Sequence, residues 1–111
     1  MNYEIRFDGT TVKVQEYGNA WYFAFAGDYI AVVPDPGRPN SEHYLVSFSG
    51  RHFGNTPTTG IRVPSGTAAI QVLDLALECA KKYARNWMID GYLRDLRDGI
   101  RKNRFEMTYG N

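Results

Sequence analysis

A chain of 111 residues fits one domain and leaves no room for a second hydrophobic core, so we predict a single domain over residues 1–111. The hydrophobic fraction of 43% and the charged fraction of 23% are those of a globular protein, which excludes a disordered or fibrous chain. The net charge of +1 argues against a dedicated nucleic-acid binder, because such proteins usually carry a marked basic excess.

The cysteine content and the N-terminus predict a cytoplasmic protein. Cys79 is the only cysteine, so no disulfide can form within the chain, which favours a reducing compartment. The N-terminal residues carry charges and lack an apolar core, so they do not form a signal peptide. No apolar run approaches the roughly 20 residues that a membrane span needs.

The first half of the chain alternates apolar and polar residues, which is typical of half-buried strands. Residues 3–7 and 11–17 follow this pattern, and the turn pairs Asp8-Gly9 and Gly18-Asn19 follow them. The inward positions of the first strand are Tyr3, Ile5 and Phe7. We therefore expect an N-terminal meander of antiparallel strands.

The next two predicted strands, 20–26 and 29–33, are apolar on both faces. Trp21, Phe23 and Phe25 share one face, and Tyr22, Ala24 and Ala26 share the other. A strand covered on one side only should carry polar residues on its other side. Two arrangements fit this pattern. Either helices and a loop cover the hairpin on both faces, which burial statistics favour, or its second face is a binding surface.

One further strand, and up to two short candidate strands at the sheet edges, follow the proline-rich loop at 34–40. Residues 43–49 place Tyr44, Val46 and Phe48 on one face, and a long loop follows at 51–60. Residues 61–63 are a candidate for a short edge strand, and residues 105–109, which alternate again, are a candidate for a last strand at a sheet edge.

From Thr67 the apolar period changes to three and four residues, which indicates a helix. Ser65 or Thr67 is expected to cap its first turn. Its apolar stripe contains Ile70, Leu73, Leu77, Ala80, Ala84 and Trp87, widened by Val72, Ala76, Cys79 and Tyr83.

A second helix is expected to run from Asp90 to about Asn103 after a bend at residues 86–91, with a single kinked helix as the alternative. Its stripe is Ile89, Leu93, Leu96 and Ile100. The fold class is therefore α+β. We expect an antiparallel sheet of four to six strands packed against one long and one shorter C-terminal helix.

The reactive residues of the chain do not form a recognisable catalytic or metal-binding motif. Cys79 lies on the apolar side of the first helix, where burial makes a thiol inert. His43 and His52 lack the spacing of metal ligands, and a general-base role would need a nearby carboxylate, such as Asp35 or Glu42 beside His43. We predict no catalytic residues, no metal and no cofactor.

A row of arginines on the second helix is the one charged feature with a definite shape. Arg94, Arg97, Arg101 and Arg104 recur at steps of three and four. Such a row suits phosphates or an acidic partner. The more ordinary interpretation is a solvated face with arginine–aspartate pairs, in which Asp98 serves Arg94, Arg101 or Lys102.

The leading hypothesis is a non-enzymatic protein-binding module that occupies the surface of a partner. Size and general character suggest a phage or mobile-element inhibitor of a host defence nuclease, as anti-CRISPR proteins are. Self-association as a homodimer would use the same apolar face. The predicted partner-binding residues are Tyr22, Tyr44, Arg94, Arg97, Arg101 and Arg104.

Two alternatives belong to other classes. The first is nucleic-acid binding by the arginine row, with bases stacked on exposed aromatics such as Tyr44 or Phe53. The second is a small enzyme that uses His43 or His52 with a carboxylate.

Overall fold

The computed structural model describes residues 1–53, 57–83 and 87–109, with the side chains of residues 87 and 88 excepted. Its strands are β1 (Asn2–Phe7), β2 (Thr10–Tyr17), β3 (Ala20–Phe25), β4 (Asp28–Pro34), β5 (His43–Gly50), β6 (Thr59–Arg62) and β7 (Glu106–Tyr109). Its helices are α1 (Ala69–Lys81) and α2 (Trp87–Arg101).

All seven strands belong to one antiparallel sheet, in the order β6-β5-β4-β3-β2-β1-β7. Strands β1 to β6 form an unbroken meander, and β7 returns from the end of the chain to pair with β1. The α+β class is therefore confirmed. The expected count of four to six strands is too low, because β6 and β7 both join the sheet as edge strands.

Both helices pack against one face of the sheet, which we call the inner face. The inner face carries the core residues Tyr3, Ile5, Val12, Val14, Phe23, Phe25, Ile30, Val32, Val46 and Phe48. The predicted stripe of α2, Ile89, Leu93, Leu96 and Ile100, is buried against this core. The 13 residues of α1 and the 15 of α2 reverse the expected order of lengths.

The break between the helices falls earlier than the sequence predicts. α1 ends at Lys81 and α2 already begins at Trp87, so Gly91 lies inside a helix rather than at a bend. The alternative of one kinked helix is also wrong, since Lys82 and Tyr83 form a turn. Residues 84–86, which include Ala84 and Asn86 of the predicted stripe and bend, lie outside the described residues.

The predicted helix caps are wrong as well. Ala68 is the N-cap of α1 and makes no side-chain capping bond. The Thr67 hydroxyl instead donates to the Pro64 carbonyl, which closes the turn before the helix.

Within the described part of the chain, no helix is long and apolar enough to cross a membrane.

Candidate functional site

The face of the sheet opposite the helices, which we call the outer face, has no described element lying over it. Tyr22 and Tyr29 project from its centre with 40% and 56% of their surface exposed. The sequence favours a β3–β4 hairpin that is covered on both faces. This prediction is wrong for the described residues, which cover the hairpin on its inner face only. The apolar outer side of this hairpin faces solvent, where a solvated sheet normally carries polar residues.

Strand register places the outer-face side chains in rows across the sheet. In one row Lys13, Ala24, Tyr29 and Ser49 are successive partners. In the next row Gln15, Tyr22, Ala31 and Ser47 are successive partners. Tyr22 therefore stands beside Ala31, and Tyr29 beside Ala24, so that two tyrosines and two alanines alternate in a square.

Small side chains between the tyrosines leave a depression of about 670 Å³ on this face. Ala24, Ala31, Ser47 and Ser49 form its floor, because their side chains end close to the main chain. The rings of Tyr22 and Tyr29 rise beside them. The remaining outer-face residues that line it are polar: Asn2, Glu4, Arg6, Lys13, Gln15 and Thr108.

A third row extends the apolar surface toward the other end of the strands. Tyr17 pairs with Ala20, and Val33 pairs with Leu45. Tyr17 is 72% exposed, and Val33 and Leu45 are half-buried. The centre of the outer face is therefore apolar over three rows, with Ala20 buried between its neighbours. Its charged groups lie to both sides, on β2, β1 and β7 and at Arg62 of β6.

The charges on the outer face balance. Arg6 and Lys13 are positive, and Glu4 and Glu106 lie on the same side of their strands. Arg62, which the register with His43 places on this face as well, is paired with Glu42 at 2.7 Å. Arg6 and Glu4 approach to 3.6 Å, and Glu4 is the register partner of Lys13. This face therefore has no excess charge with which to hold phosphates or a strongly acidic partner.

The predicted partner-binding residues fall on opposite sides of the molecule. Tyr22 lies on the outer face, whereas Tyr44 is half-buried on the inner face, with its ring 5.5 Å from that of Trp21. Phe53, expected to be an exposed stacking platform, is buried against Phe48. Sequence reasoning missed two tyrosines of the outer face, Tyr17 and Tyr29. For Tyr29, the apolar character of both sides of its strand was the signal.

The arginine row does not form one free surface. Arg94 pairs with Asp90 at 2.8 Å rather than with Asp98. Arg97 leans back onto α1 to contact Asp74 at 3.4 Å, and its side chain is only 13% exposed. Arg101 and Arg104 are exposed near the end of α2.

A histidine and a carboxylate meet elsewhere, at the end of the sheet where the β3–β4 turn lies. Asp28, which is fully buried, accepts the main-chain N–H of His52 at 2.7 Å and lies 2.6 Å from the His52 Nδ1. The Asp28 carboxylate therefore holds both the main chain and the ring of His52, which lies in the turn after β5. The outer-face depression is lined by other residues.

The His43 ring, by contrast, has its described hydrogen-bond contact with Arg38 rather than with the carboxylate of Asp35 or Glu42, although the Asp35 N–H donates to the His43 carbonyl at 3.0 Å. The ring lies 3.3 Å from the Arg38 guanidinium. The Glu42 carboxylate accepts the Ser65 N–H at 2.8 Å and binds Arg62 at 2.7 Å, and these two contacts lower its pKa. No group of three or more potential metal ligands occurs among the described residues.

Burial is the main cause of the raised pKa values of three other groups, Cys79, Tyr3 and Tyr92. The Cys79 thiol is buried in the core, as predicted, and burial raises its pKa. Burial also raises the pKa of Tyr3 and of Tyr92, and the nearby charge of Glu16 adds to the effect at Tyr3. All three groups are consequently held in their neutral forms, which suits structural roles.

Comparison of the chain with protein-family models, with curated proteins and with solved structures finds no match.

Proposed function

We propose that this protein is a non-enzymatic protein-binding module and that the outer face of its sheet is the contact surface. The observation that carries the proposal is the square at the centre of that face, in which the exposed Tyr22 and Tyr29 alternate with the half-buried Ala24 and Ala31. Aromatic residues at the centre and polar residues around them are the usual anatomy of a protein interface. Tyrosine is also among the residues that contribute most binding energy.

The size of the outer face supports a protein partner. Seven strands spaced about 4.8 Å apart, with about 20 Å of length in the central strands, give a projected area of roughly 600 Å². One side of a standard protein interface buries about 800 Å², so this face supplies most of one side.

The balanced charge of the face supports a protein rather than a nucleic acid. Nucleic-acid binding depends on several unpaired cations that displace counterions from phosphates. The paired states of Arg94 and Arg97 reduce that number on the helix side. The narrower role, inhibition of a host defence nuclease in the manner of anti-CRISPR proteins, stays a prediction from size and character.

Affinity capture with matched variants tests the proposal. The bait proteins are the wild type, the pair Tyr22→Arg/Tyr29→Arg, and Tyr109→Arg as a control, since Tyr109 is 61% exposed on β7 outside the outer-face depression. The baits are offered cell lysate and a differently tagged copy of this chain, and we expect the wild type and the control to retain a protein that the pair loses and that binds again once purified. Identical capture by all three baits would contradict the proposal.

A further inference from the structure

The two tyrosines and two alanines at the centre of the outer face are arranged symmetrically. Tyr22 and Ala31 are direct partners across β3 and β4, as are Ala24 and Tyr29. The tyrosines therefore occupy one diagonal of the square and the alanines the other. Each large side chain has a small one beside it in both directions, along the strand and across it.

Two copies of the chain can be placed with their outer faces opposed and related by a two-fold axis. This axis runs parallel to the strands, between β3 and β4 and midway between the two sheets. This rotation places β3 of one copy over β4 of the other. Tyr22 of each copy then stands over Ala31 of the other, and Tyr29 over Ala24. Every tyrosine meets a hole, which is the interdigitation that packed sheets require at their spacing of about 10 Å.

The neighbouring positions match under the same rotation. Strand β2 of one copy lies over β5 of the other, so Lys13 meets Ser49 and Gln15 meets Ser47. In the third row Tyr17 meets Leu45, and Ala20 meets Val33. Apolar groups therefore face apolar groups, and no charge in these rows meets a like charge.

We infer that the outer face binds a second copy of this chain, in an isologous dimer with face-to-face sheets. This inference rests on the proposed function and names the partner of the same surface. A closed two-fold contact uses one patch twice, so the patch must be complementary to itself. The outer face meets that requirement in shape, in the placement of its apolar rows and in its balanced charge.

Under this rotation β7 has no strand opposite it and β6 is only four residues long, so each copy contributes roughly 500 Å² and the contact buries roughly 1,000 Å², within the range of weak protein interfaces. The dimer is therefore expected to exchange its chains in solution rather than to be permanent. Its stability depends on the interdigitated tyrosines, which are the largest side chains at the centre.

Complementary size changes test this geometry. In Ala31→Tyr the introduced tyrosine meets Tyr22 of the other copy, and in Tyr22→Ala a hole faces a hole. We expect sedimentation equilibrium to show dimers for the wild type and association weakened by about tenfold or more for each variant alone. An equimolar mixture should recover the association, because the introduced tyrosine then meets the introduced alanine. Arg101→Ala, on α2, should associate as the wild type does.

Thermal melts of each variant establish that it is folded before its association is measured. A wild type that sediments as a single chain at its highest soluble concentration overturns the dimer, and so does a mixture that associates no better than its components. Neither result decides the proposed function, because capture of a different protein through Tyr22 and Tyr29 would still support it. A dimer that persists in Tyr22→Arg/Tyr29→Arg overturns the outer face as its site.

Discussion

Asp28 and His52 are joined twice, because the buried carboxylate of Asp28 contacts both the main-chain nitrogen and the ring Nδ1 of His52. The two residues are 24 positions apart in the sequence and connect the start of β4 with the segment after β5. A buried carboxylate with two such partners stabilises the turn that it holds. These two contacts support a structural role for the pair.

Asp28→Asn should lower the free energy of unfolding by about 1–3 kcal/mol, because an amide offers one acceptor oxygen where the carboxylate offers two. Urea denaturation measures the change. Asp95→Asn, at an exposed position on α2, is the control and should alter stability by less than about 0.5 kcal/mol.

Substitution of His52 tests whether this pair contributes to binding by the outer face. His52→Ala should leave association through the outer face unchanged, because the outer-face depression is lined by other residues. Loss of partner binding in His52→Ala, with the fold intact by circular dichroism, would instead connect the histidine to function.

Gly50 lies next to Asp28 and should not tolerate a side chain. A Cβ at this position would lie 2.5 Å from the Gly27 carbonyl oxygen and 2.7 Å from the Asp28 Cα, and the φ angle is +117°. Both contacts are with main-chain atoms, which cannot rotate away. Gly50→Ala should therefore destabilise the protein by more than about 3 kcal/mol.

Gly60 is the matched control for Gly50, since it also lies in a strand but has nothing within 4 Å of the position that a Cβ would occupy. Gly60→Ala should be neutral or slightly stabilising, by up to about 1 kcal/mol, because alanine reduces the freedom of the unfolded chain. Equal melting temperatures for the two variants would contradict the packing at Gly50.

Alkaline conditions should destabilise the fold through Tyr3 and Tyr92. Burial, chiefly, raises the pKa of both phenols above the ordinary value of 10.0, so the unfolded chain loses these protons first. Their stabilising contribution is complete below pH 10 and is lost as the pH rises through the folded-state values. Tyr3→Phe should therefore flatten the decline of the unfolding free energy above about pH 10, as measured by urea denaturation across that range.

Arg97 and Arg94 should respond differently to substitution. Arg97 is largely buried and contacts Asp74 on the other helix, whereas Arg94 makes an exposed pair with Asp90 one turn away. Arg94→Ala should lower stability by no more than about 0.5 kcal/mol, as is usual for exposed pairs within a helix. Arg97→Ala should cost about 1–2 kcal/mol, because packing against α1 is lost as well. Equal effects in urea denaturation would contradict the contact between the helices.

Apolar alternation predicts most of the sheet, because a strand with one buried face imposes that pattern directly on the sequence. Residues 61–63 and 105–109 are correctly predicted at edges, near the observed β6 and β7. The predicted helix boundary is wrong because Gly91 indicates a bend, whereas the helix accommodates this glycine with open space around it. Thr67 does not act as a cap because its hydroxyl has a competing acceptor in the preceding turn.

The Asp28–His52 pair escapes prediction for a local reason. Gly27-Asp28 resembles a turn, but Ala26 adopts a left-handed conformation with φ of 50° and forms the turn with Gly27. Asp28 is thereby moved into β4 as a buried residue opposite Phe25. The left-handed conformation is usually adopted by glycine or asparagine, so an alanine at position 26 does not indicate a turn there.

From the sequence alone, the second face of the β3–β4 hairpin is either covered or exposed to solvent, and the sequence does not decide between the two. Tyr22, Ala24 and the neighbouring strand are apolar whether a helix covers them or solvent does. The outcome depends on the helices, both of which pack on the inner face. The row pattern that pairs Tyr22 with Ala31 also needs the register of β3 and β4, which sequence alone leaves open.

Position-specific crosslinking tests most directly whether another protein binds at Tyr29. A photoreactive benzoylphenylalanine replaces Tyr29 in one sample and Tyr109 in another, and the purified proteins are irradiated. We predict an adduct of two chains from position 29, with the second chain attached within β3 near Ala24, and little or none from position 109. If position 29 yields no protein adduct, either alone or in cell lysate, the outer face is not a binding surface and the central claim is wrong.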